Sequence, residues 1–261
     1  MPADIPSPGG ARYARHAALG KIGQRGQRKL SESSVLVLGC GSIGGAQAMF
    51  LARAGLGRLI LADRDYVQLC NLPTQILYDE NDVKERAPKA EAAARRLRAI
   101  NPEIKIEPVV ADVTAANIEE LVGQADLVMD GADNFETRFL LNDAAVKAGK
   151  PWVYGGVLGT DGMVLAVRPG QGPCLRCLFD LPAADGRLPT CDAFGVLNTA
   201  AAWVAALQVT EALKILTGAE PDGYRLHTLD IWRGTASPVA AERKPNCPCC
   251  GRRNFEFLKP A

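Results

Sequence analysis

One glycine-rich segment constrains the fold of this chain more than any other feature. The apolar run at residues 35–38 leads directly into Gly39-Cys40-Gly41-Ser42-Ile43-Gly44, and a helix is expected from residue 43 to 54, ending at Gly55. A GxGxxG segment between a buried strand and a helix is typical of a nucleotide-binding unit, in which backbone N–H groups at the helix N-terminus hold phosphate. The alternative is that the glycines only permit tight packing of the helix on the strand.

Strand-like and helix-like segments alternate through the first 155 residues. Strands are expected at residues 35–38, 59–62, 104–110, 125–129 and 152–154, and helices at 12–19, 43–54, 88–100, 115–122 and 136–148. This alternation predicts a doubly wound α/β fold with a mostly parallel, Rossmann-like sheet. A C-terminal extension follows, with strands at 163–167 and 224–229, a loop at 182–189 and a helix at 199–216.

Length and composition indicate how these elements are organised. At 261 residues and 48% hydrophobic content, we expect a flexible lead-in at residues 1–10 and one domain at 11–261, with a nucleotide-binding half at about 30–155 and a second half at about 156–261. The 30 basic and 29 acidic residues leave a net charge of +1, which argues against nucleic acid as a partner.

The chain shows no sequence feature of secretion. The first twenty residues contain no apolar run, so we expect a cytoplasmic protein without a membrane partner. Residues 193–210 carry no charge, but their small and polar residues indicate a buried core helix rather than a membrane span.

Polar residues beside the glycine segment indicate which nucleotide is bound. Asp63 lies 19 residues beyond Gly44, where an acidic side chain takes a ribose hydroxyl. An NAD-dependent oxidoreductase is the alternative, but neither His16 nor His227 has the setting of a hydride-transfer acid or base. The dense polar residues that follow favour a nucleoside triphosphate; they include Asp65, Asn71 and Gln75.

Two C-x-x-C pairs predict a zinc site. Cys174 and Cys177 form one pair, and Cys247 and Cys250 form the other, so that a zinc ion would attach the C-terminal segment to the body of the domain. The alternative is a redox C-x-x-C. Cys249 is an additional thiol, and two further cysteines, Cys40 and Cys70, are expected to be small buried residues.

Taken together, the motifs resemble those of the ThiF/MoeB/HesA family of adenylating enzymes, which are related to ubiquitin-activating enzymes. They are Arg12-Tyr13-Ala14-Arg15, the glycine segment, Asn71-Leu72-Pro73-Thr74-Gln75, Pro88-Lys89-Ala90, Asp130-Gly131-Ala132-Asp133-Asn134 and the two cysteine pairs. The resemblance implies a homodimer that uses ATP and Mg²⁺ to adenylate the C-terminal Gly-Gly of a ubiquitin-like sulfur carrier of the ThiS or MoaD type. Thiamine or molybdenum cofactor biosynthesis would be the pathway, and the second half of the domain would bind the carrier and zinc.

The resemblance also implies roles for individual residues. Arg15 would reach the ATP site of the partner subunit, Lys89 would contact phosphate and Asp133 would hold Mg²⁺. The alternatives are a solvated surface charge for Arg15 and a helix cap for Asp133. The nucleotide would contact Gly39, Gly41, Ser42, Gly44, Asp63, Asp65, Asn71, Gln75, Lys89, Asp133 and Asn134.

Two positions leave the reaction open. Cys191 matches a family cysteine that forms a thioester or acyl-persulfide with the carrier in some members, although a merely positional role is equally compatible with the sequence. Thr74 stands where the family has a phosphate-contacting arginine, so a cation such as Arg86 would have to substitute, or the protein would be a carrier-binding pseudoenzyme. No sulfurtransferase domain is evident, which implies a separate sulfur donor of the desulfurase or rhodanese type.

Overall fold

A computed structural model describes residues 10–179 and 194–259. Eight strands form one sheet in the order β3-β2-β1-β4-β5-β6-β7-β8, with β1 to β5 parallel and β6 to β8 antiparallel. The strands are β1 (Ser34–Leu38), β2 (Arg58–Ala62), β3 (Lys105–Val109), β4 (Leu127–Asp130), β5 (Trp152–Leu158), β6 (Asp161–Val167), β7 (Arg225–Asp230) and β8 (Thr235–Ala240). The predicted doubly wound fold with a strand and helix extension is confirmed.

Helices cover both faces of this sheet. In the described part of the chain they are α1 (Ala14–Ala18), α2 (Gly23–Glu32), α3 (Ser42–Ala54), α4 (Glu80–Lys84), α5 (Lys89–Ile100), α6 (Ile118–Gly123), α7 (Phe135–Ala148), α8 (Leu175–Leu178) and α9 (Asn198–Thr217), with a 3₁₀ turn at Gly10–Tyr13 before α1. Gly55, Gly149 and Gly218 end α3, α7 and α9 in the left-handed conformation, which glycine adopts without a steric penalty.

Alternating side chains of β1 divide the core into two layers. Val35 and Val37 pack with α3, α5 and α9, whereas Leu36 and Leu38 pack with α6 and α7. Successive side chains of a strand point to opposite faces, so a continuous apolar run is what a sheet covered on both sides requires. The cysteine pairs belong to the second layer, on the α7 side.

The strand order places a crevice at the carboxyl ends of β1 and β4. The chain proceeds from β1 to β2 and β3 on one side, and then returns to β4 and β5 on the other. Leu38 is in register with Asp130, so the loops that follow β1 and β4 begin side by side. Ligands of open α/β sheets bind at such a topological switch point.

Two glycines of the segment after β1 are required by close backbone contact. Gly39 has a φ of +87°, and a β-carbon there would meet the carbonyl group of Gly131. A β-carbon at Gly44 would collide with the carbonyl oxygen of Gly39. Close packing and phosphate binding are therefore not alternatives, because the same glycines that let α3 approach the sheet also expose the helix N-terminus.

Helix α9 is the one helix among the described residues with the length and composition of a membrane span. It packs on α3, β5 and β6 through a buried face that includes Ala201, Val204, Ala205 and Ala212. Its other face, with Trp203 and Leu207, is half-buried. The predicted core helix is thus buried along one face, and it begins at Asn198.

Helix α2 and strand β8 were not expected from the sequence. Helix α2 is mostly polar and contains two glycines, yet Leu30 is fully buried, Gln27 Nε2 donates to Ala54 O at 2.8 Å, and Lys29 Nζ donates to Thr217 O at 2.8 Å. All six residues of β8 are exposed, so the strand has no buried apolar face that a sequence pattern could reveal. Long-range contacts decide both elements, and local patterns do not reveal them.

The contact at Gly44 yields a prediction for stability. Gly44→Ala should lower the melting temperature strongly and abolish nucleotide binding, because the added methyl group forces α3 away from the glycine loop. Gly123→Ala is the matched control, since a β-carbon there has open space and should change stability by no more than about 0.5 kcal/mol. Equal melting temperatures for the two variants would contradict this account of the loop.

Candidate active site and metal centre

The N-terminus of α3 is open for an anion. Its N-cap is Gly41, which supplies no side-chain hydrogen bond, and the helical bonding begins with Gly45 N donating to Gly41 O at 2.9 Å. The first N–H groups of a helix have no partner within the helix and carry the positive end of its dipole. Ser42 adds a hydroxyl at the first helical position. This terminus can hold a phosphate group.

Asp63 connects the loops that follow β1 and β2. Its Oδ2 accepts from Cys40 N at 2.6 Å and its Oδ1 accepts from Asp65 N at 2.7 Å. Burial raises the pKa of the Asp63 carboxyl, and the two backbone N–H groups partly offset this effect. The Asp63 carboxylate therefore holds the glycine loop in place. Its oxygens also have further lone pairs that can accept a hydrogen bond from a sugar hydroxyl.

Lys89 is buried at the start of α5, with 7% of its surface exposed. Its Nζ donates to Asp65 Oδ2 at 3.0 Å, and its backbone N donates to Asp65 O at 2.8 Å. Lysine is almost never buried without a partner, and this one keeps two further Nζ donors. Asp65 and Lys89, which are 24 residues apart, thus form one charged pair beside the glycine loop.

Tyr78 is a site residue that sequence reasoning missed. Its buried hydroxyl lies 2.8 Å from Cys40 O and 3.2 Å from Lys89 O, and it donates its proton to one of these acceptors at a time. Burial raises the pKa of this phenol, so it remains a donor. Tyr78 ties the glycine loop to the start of α5. The tyrosine follows Gln75 by three residues, but nothing in that spacing indicates the contact.

The position of the missing arginine lies directly against the start of α3. Ser42 Oγ donates to Thr74 Oγ1 at 2.8 Å. Gln75 is buried, and its Oε1 has no hydrogen-bond partner among the described residues. Arg86 is exposed with a φ of +48°, and its guanidinium makes no hydrogen bond or ion pair within the described chain. Where the family resemblance implies an arginine, this chain therefore has two neutral hydroxyl groups, those of Thr74 and Ser42, that are hydrogen-bonded to each other.

Asn71 precedes this position in the same short turn. Its Oδ1 accepts from Gln68 N at 3.2 Å, and its backbone carbonyl lies 3.3 Å from Thr74 Oγ1, within hydrogen-bonding distance. The side chain thus closes the turn that leads to Thr74 and Gln75.

The loop after β4 presents Asp133 to solvent. Asn134, not Asp133, caps α7: Asn134 Oδ1 accepts from Thr137 N at 2.8 Å. Asn134 Nδ2 donates to Asp133 Oδ1 at 2.9 Å, which leaves the other Asp133 oxygen for a ligand. Gly131 in the same loop packs directly on Gly39 and Gly44.

Arg64 links the two acidic loops electrostatically. The pKa of its guanidinium is raised chiefly by the hydrogen bond with Asp112, and further by the charges of Asp65 and Asp133. Arg64 Nε lies 3.8 Å from Asp65 Oδ1, and Arg64 Nη1 lies 2.9 Å from Asp112 Oδ2. An exposed carboxylate, the free N–H groups at the start of α3 and a buried lysine lie in the loops around this crevice, and such groups suit a magnesium-bound nucleotide.

A buried polar cluster supports the Asp133 loop from behind. Arg138 Nε donates to Asp130 Oδ2 at 3.2 Å, and its Nη2 donates to Ala132 O at 2.7 Å. Gln47 and Gln208 donate to Asp130 O at 2.8 and 3.0 Å. Burial raises the pKa of the Asp130 carboxyl, and the Arg138 charge opposes that effect. Arg138 thus holds the loop rather than lining the crevice.

Four cysteine sulfurs converge on the α7 side of the sheet. The Sγ–Sγ distances are 4.0 Å for Cys174–Cys177, 3.6 Å for Cys174–Cys247 and 3.4 Å for Cys177–Cys250. All four lie within 4.8 Å of one another, and all are buried. Tetrahedral zinc with Zn–S bonds of about 2.3 Å places its sulfurs about 3.8 Å apart, so the arrangement fits a zinc ion.

The remaining residues singled out from the sequence are one arginine and three cysteines outside the four-cysteine cluster. Arg15 is exposed on α1 and makes no hydrogen bond or ion pair with any described residue. Cys191 is outside the described residues. Cys40 is buried as expected, and burial raises the pKa of its thiol well above the usual value. The expectation for Cys70 is wrong: it is exposed, because the short 3₁₀ turn Leu69–Asn71 packs none of its side chains into the core.

Comparison with known proteins identifies the family. The ThiF family model matches residues 13–249, and the chain belongs to the ThiF family. The sulfur carrier protein ThiS adenylyltransferase of Bacillus subtilis is 47% identical over 95% of this chain and 73% of that protein. The SAMP-activating enzyme E1 of Haloferax volcanii is 39% identical over 95% of this chain and 91% of that protein.

A solved structure agrees with the fold. The crystal structure of E. coli MccB with MccA-N7isoASN has a TM-score of 0.82 and 23% identity, over 96% of this chain and 77% of that one. The expected family and its adenylyltransferase activity are confirmed by these relatives. The oxidoreductase alternative has no support among them.

Metal analysis tests the cysteine centre. Wild-type protein should contain one zinc per chain, whereas Cys250→Ala should lose the ion and melt at a lower temperature, because one of four thiolates is missing. Cys70→Ala is the control, since this exposed cysteine lies outside the cluster. Full zinc content in Cys250→Ala would show that Cys250 is not needed to hold the metal.

Proposed function

We propose that this protein uses MgATP to adenylate the C-terminal carboxylate of a small ubiquitin-like sulfur carrier and releases pyrophosphate. The observation that carries the proposal is the meeting of three features at one switch point: the open N-terminus of α3, the buried amine of Lys89 and the exposed carboxylate of Asp133. Relatives named as activating sulfur carriers support the same substrate class.

Each group has a role that follows from its chemistry. The N–H groups of α3 and the Ser42 hydroxyl bind phosphate oxygens, Lys89 neutralises their charge, and Asp63 accepts a ribose hydroxyl. Gly39 and Gly41 allow the backbone to approach the nucleotide. Asp133 would hold Mg²⁺, with Asn134 orienting its carboxylate, and the ion would supply positive charge to offset that of the phosphates.

The chemical step needs no general base. A carrier carboxylate is already ionised at neutral pH, and one of its oxygens attacks the α-phosphorus while the bond to pyrophosphate breaks. The products are an acyl-adenylate and pyrophosphate. Catalysis then consists of positioning and charge neutralisation. Because Thr74 supplies no charge, Lys89 is the main protein cation on the phosphates.

Later steps lie with residues and proteins beyond this site. Transfer of sulfur to the acyl-adenylate needs a separate donor of the desulfurase or rhodanese type, and Cys191 is the candidate to accept the carrier covalently. Zinc at the four cysteines would be structural, since four protein thiolates leave no open coordination position. Thiamine and molybdenum cofactor biosynthesis are the two candidate pathways.

The geometry of α1 supports a homodimer. Tyr13, two residues before Arg15, packs against Gly55 at the C-terminal end of α3, and Asn101 Nδ2 donates to its hydroxyl at 2.7 Å. Helix α3 has 13 residues, so its two ends are about 20 Å apart. Arg15 therefore lies far from the glycine loop of its own chain, and we propose that it completes the site of a partner subunit.

Carrier-dependent exchange of labelled pyrophosphate into ATP tests the reaction. Wild-type protein should exchange label with either a ThiS-type or a MoaD-type carrier, and Asp133→Asn should reduce the rate by about 10²–10³-fold because a metal-binding charge is lost. Glu220→Gln, an exposed acid without a partner among the described residues, should leave the rate unchanged. Carrier binding without exchange would instead indicate a pseudoenzyme.

Complementation tests the proposed dimer. Arg15→Ala and Asp133→Asn should each be inactive alone, whereas mixed subunits should recover about a quarter of wild-type activity, because each mixed dimer contains one intact site. Arg15→Ala mixed with Lys89→Ala should recover likewise. A mixture of Asp133→Asn and Lys89→Ala should recover no activity, because both residues belong to the site of one chain and no mixed dimer then has an intact site. No recovery in any mixture would refute a shared site.

A further inference from the structure

One buried amide lies between the two cysteine loops. Asn142, on α7, is fully buried, and its Oδ1 accepts from Leu175 N at 2.9 Å. Leu175 directly follows Cys174 in the first loop. The Nδ2 of the same side chain donates to Cys249 Sγ at 3.2 Å. Cys249 lies between Cys247 and Cys250 in the second loop, so one side chain contacts both loops.

These two bonds set the position of one loop relative to the other. An amide is rigid and planar, with its acceptor and donor at fixed positions, so Leu175 and Cys249 are held at a defined separation. Each bond also satisfies a group that is buried away from water, and leaving such a group unpaired is costly. The two Sγ distances that join one loop to the other are 3.6 Å for Cys174–Cys247 and 3.4 Å for Cys177–Cys250, and they span this same separation.

Other contacts, whose partners do not include Asn142 Oδ1 or Nδ2, also hold the C-terminal segment on the body of the domain. Asp143 Oδ2 accepts from Phe257 N at 3.0 Å. Arg176 Nη1 lies 3.3 Å from Glu256 Oε2, and its guanidinium stacks 5.2 Å from the centre of the Phe139 ring. Because these contacts hold residues 256 and 257, we expect the segment to stay docked when the Asn142 amide is removed, and the placement of the cysteine loops to change.

We propose that Asn142 is a positioning residue of the metal centre: it preorganises the two cysteine loops for a zinc ion, with Cys249 as its partner rather than as a ligand. The inference rests on the zinc occupancy proposed above and goes beyond the adenylation reaction. Groups that orient metal ligands in this way typically change metal affinity by about 10–100-fold when they are removed.

Competition with a chromophoric chelator, 4-(2-pyridylazo)resorcinol, measures the effect. Asn142→Ala should weaken zinc binding by about 10–100-fold while keeping one bound ion per chain. Cys249→Ala should weaken it less, because the bond to Leu175 remains. With Co²⁺ in place of zinc, both variants should keep the charge-transfer absorption of four thiolate ligands, whereas Cys250→Ala should lose it.

Gln27→Ala controls for general destabilisation. Gln27 is a buried amide whose Nε2 donates to Ala54 O at 2.8 Å, on the opposite side of the sheet from the cysteines. The Gln27→Ala variant should have a lower melting temperature and an unchanged zinc affinity. Wild-type affinity in Asn142→Ala, or equal weakening in Gln27→Ala, would overturn the proposal.

Cys249→Ala decides the matter if Asn142→Ala fails to fold. Several-fold weaker zinc binding in Cys249→Ala supports a positioning role, and unchanged binding refutes it. Reduced cobalt absorption in Cys249→Ala would show that Cys249 is itself a ligand and would also refute it. A wild-type chain that binds neither zinc nor cobalt would overturn the metal centre, while the pyrophosphate exchange would still report on adenylation.

Discussion

Close backbone contact between two loops underlies the site. Gly39 and Gly44, after β1, touch Gly131, after β4, with no side chain between them. This contact brings the start of α3, where we propose that phosphate binds, next to the loop that carries Asp133. A β-carbon at Gly39 or Gly131 would separate the two loops, and one at Gly44 would force α3 away from Gly39. Either change would alter the position of Asp133 relative to the start of α3.

Helix α7 connects the loop that carries Asp133 to the cysteine cluster. Asn134, Arg138 and Asn142 are spaced four residues apart, so they follow one face of the helix at intervals of about 6 Å. The first caps the helix beside Asp133, the second forms the buried pair with Asp130, and the third contacts both cysteine loops. The candidate active site and the metal centre are thus attached to one rigid element.

Residues with a local signature were predictable, and those defined by distant partners were not. The glycine segment, Asp63, Lys89 and the cysteine pairs each stand in a motif of fewer than ten residues or at a characteristic spacing. Tyr78 and Asn142 stand in no such motif, because their partners are 11 to 107 residues away. Helix α2 was missed for the same reason, since its polar sequence is stabilised by contacts with α3 and α9.

The sequence by itself determined the alternation of strands and helices that builds the doubly wound sheet, the glycine loop after β1 and which four cysteines come together, because periodicity, glycine geometry and cysteine spacing act over short stretches of chain. Only the tertiary structure decided that Asn134 rather than Asp133 caps α7, that Arg138 is buried against Asp130, and that Tyr13, just before α1, packs at the end of α3 opposite the glycine loop. These facts depend on which surfaces pack together, and burial of the apolar faces on both sides of the sheet determines that packing.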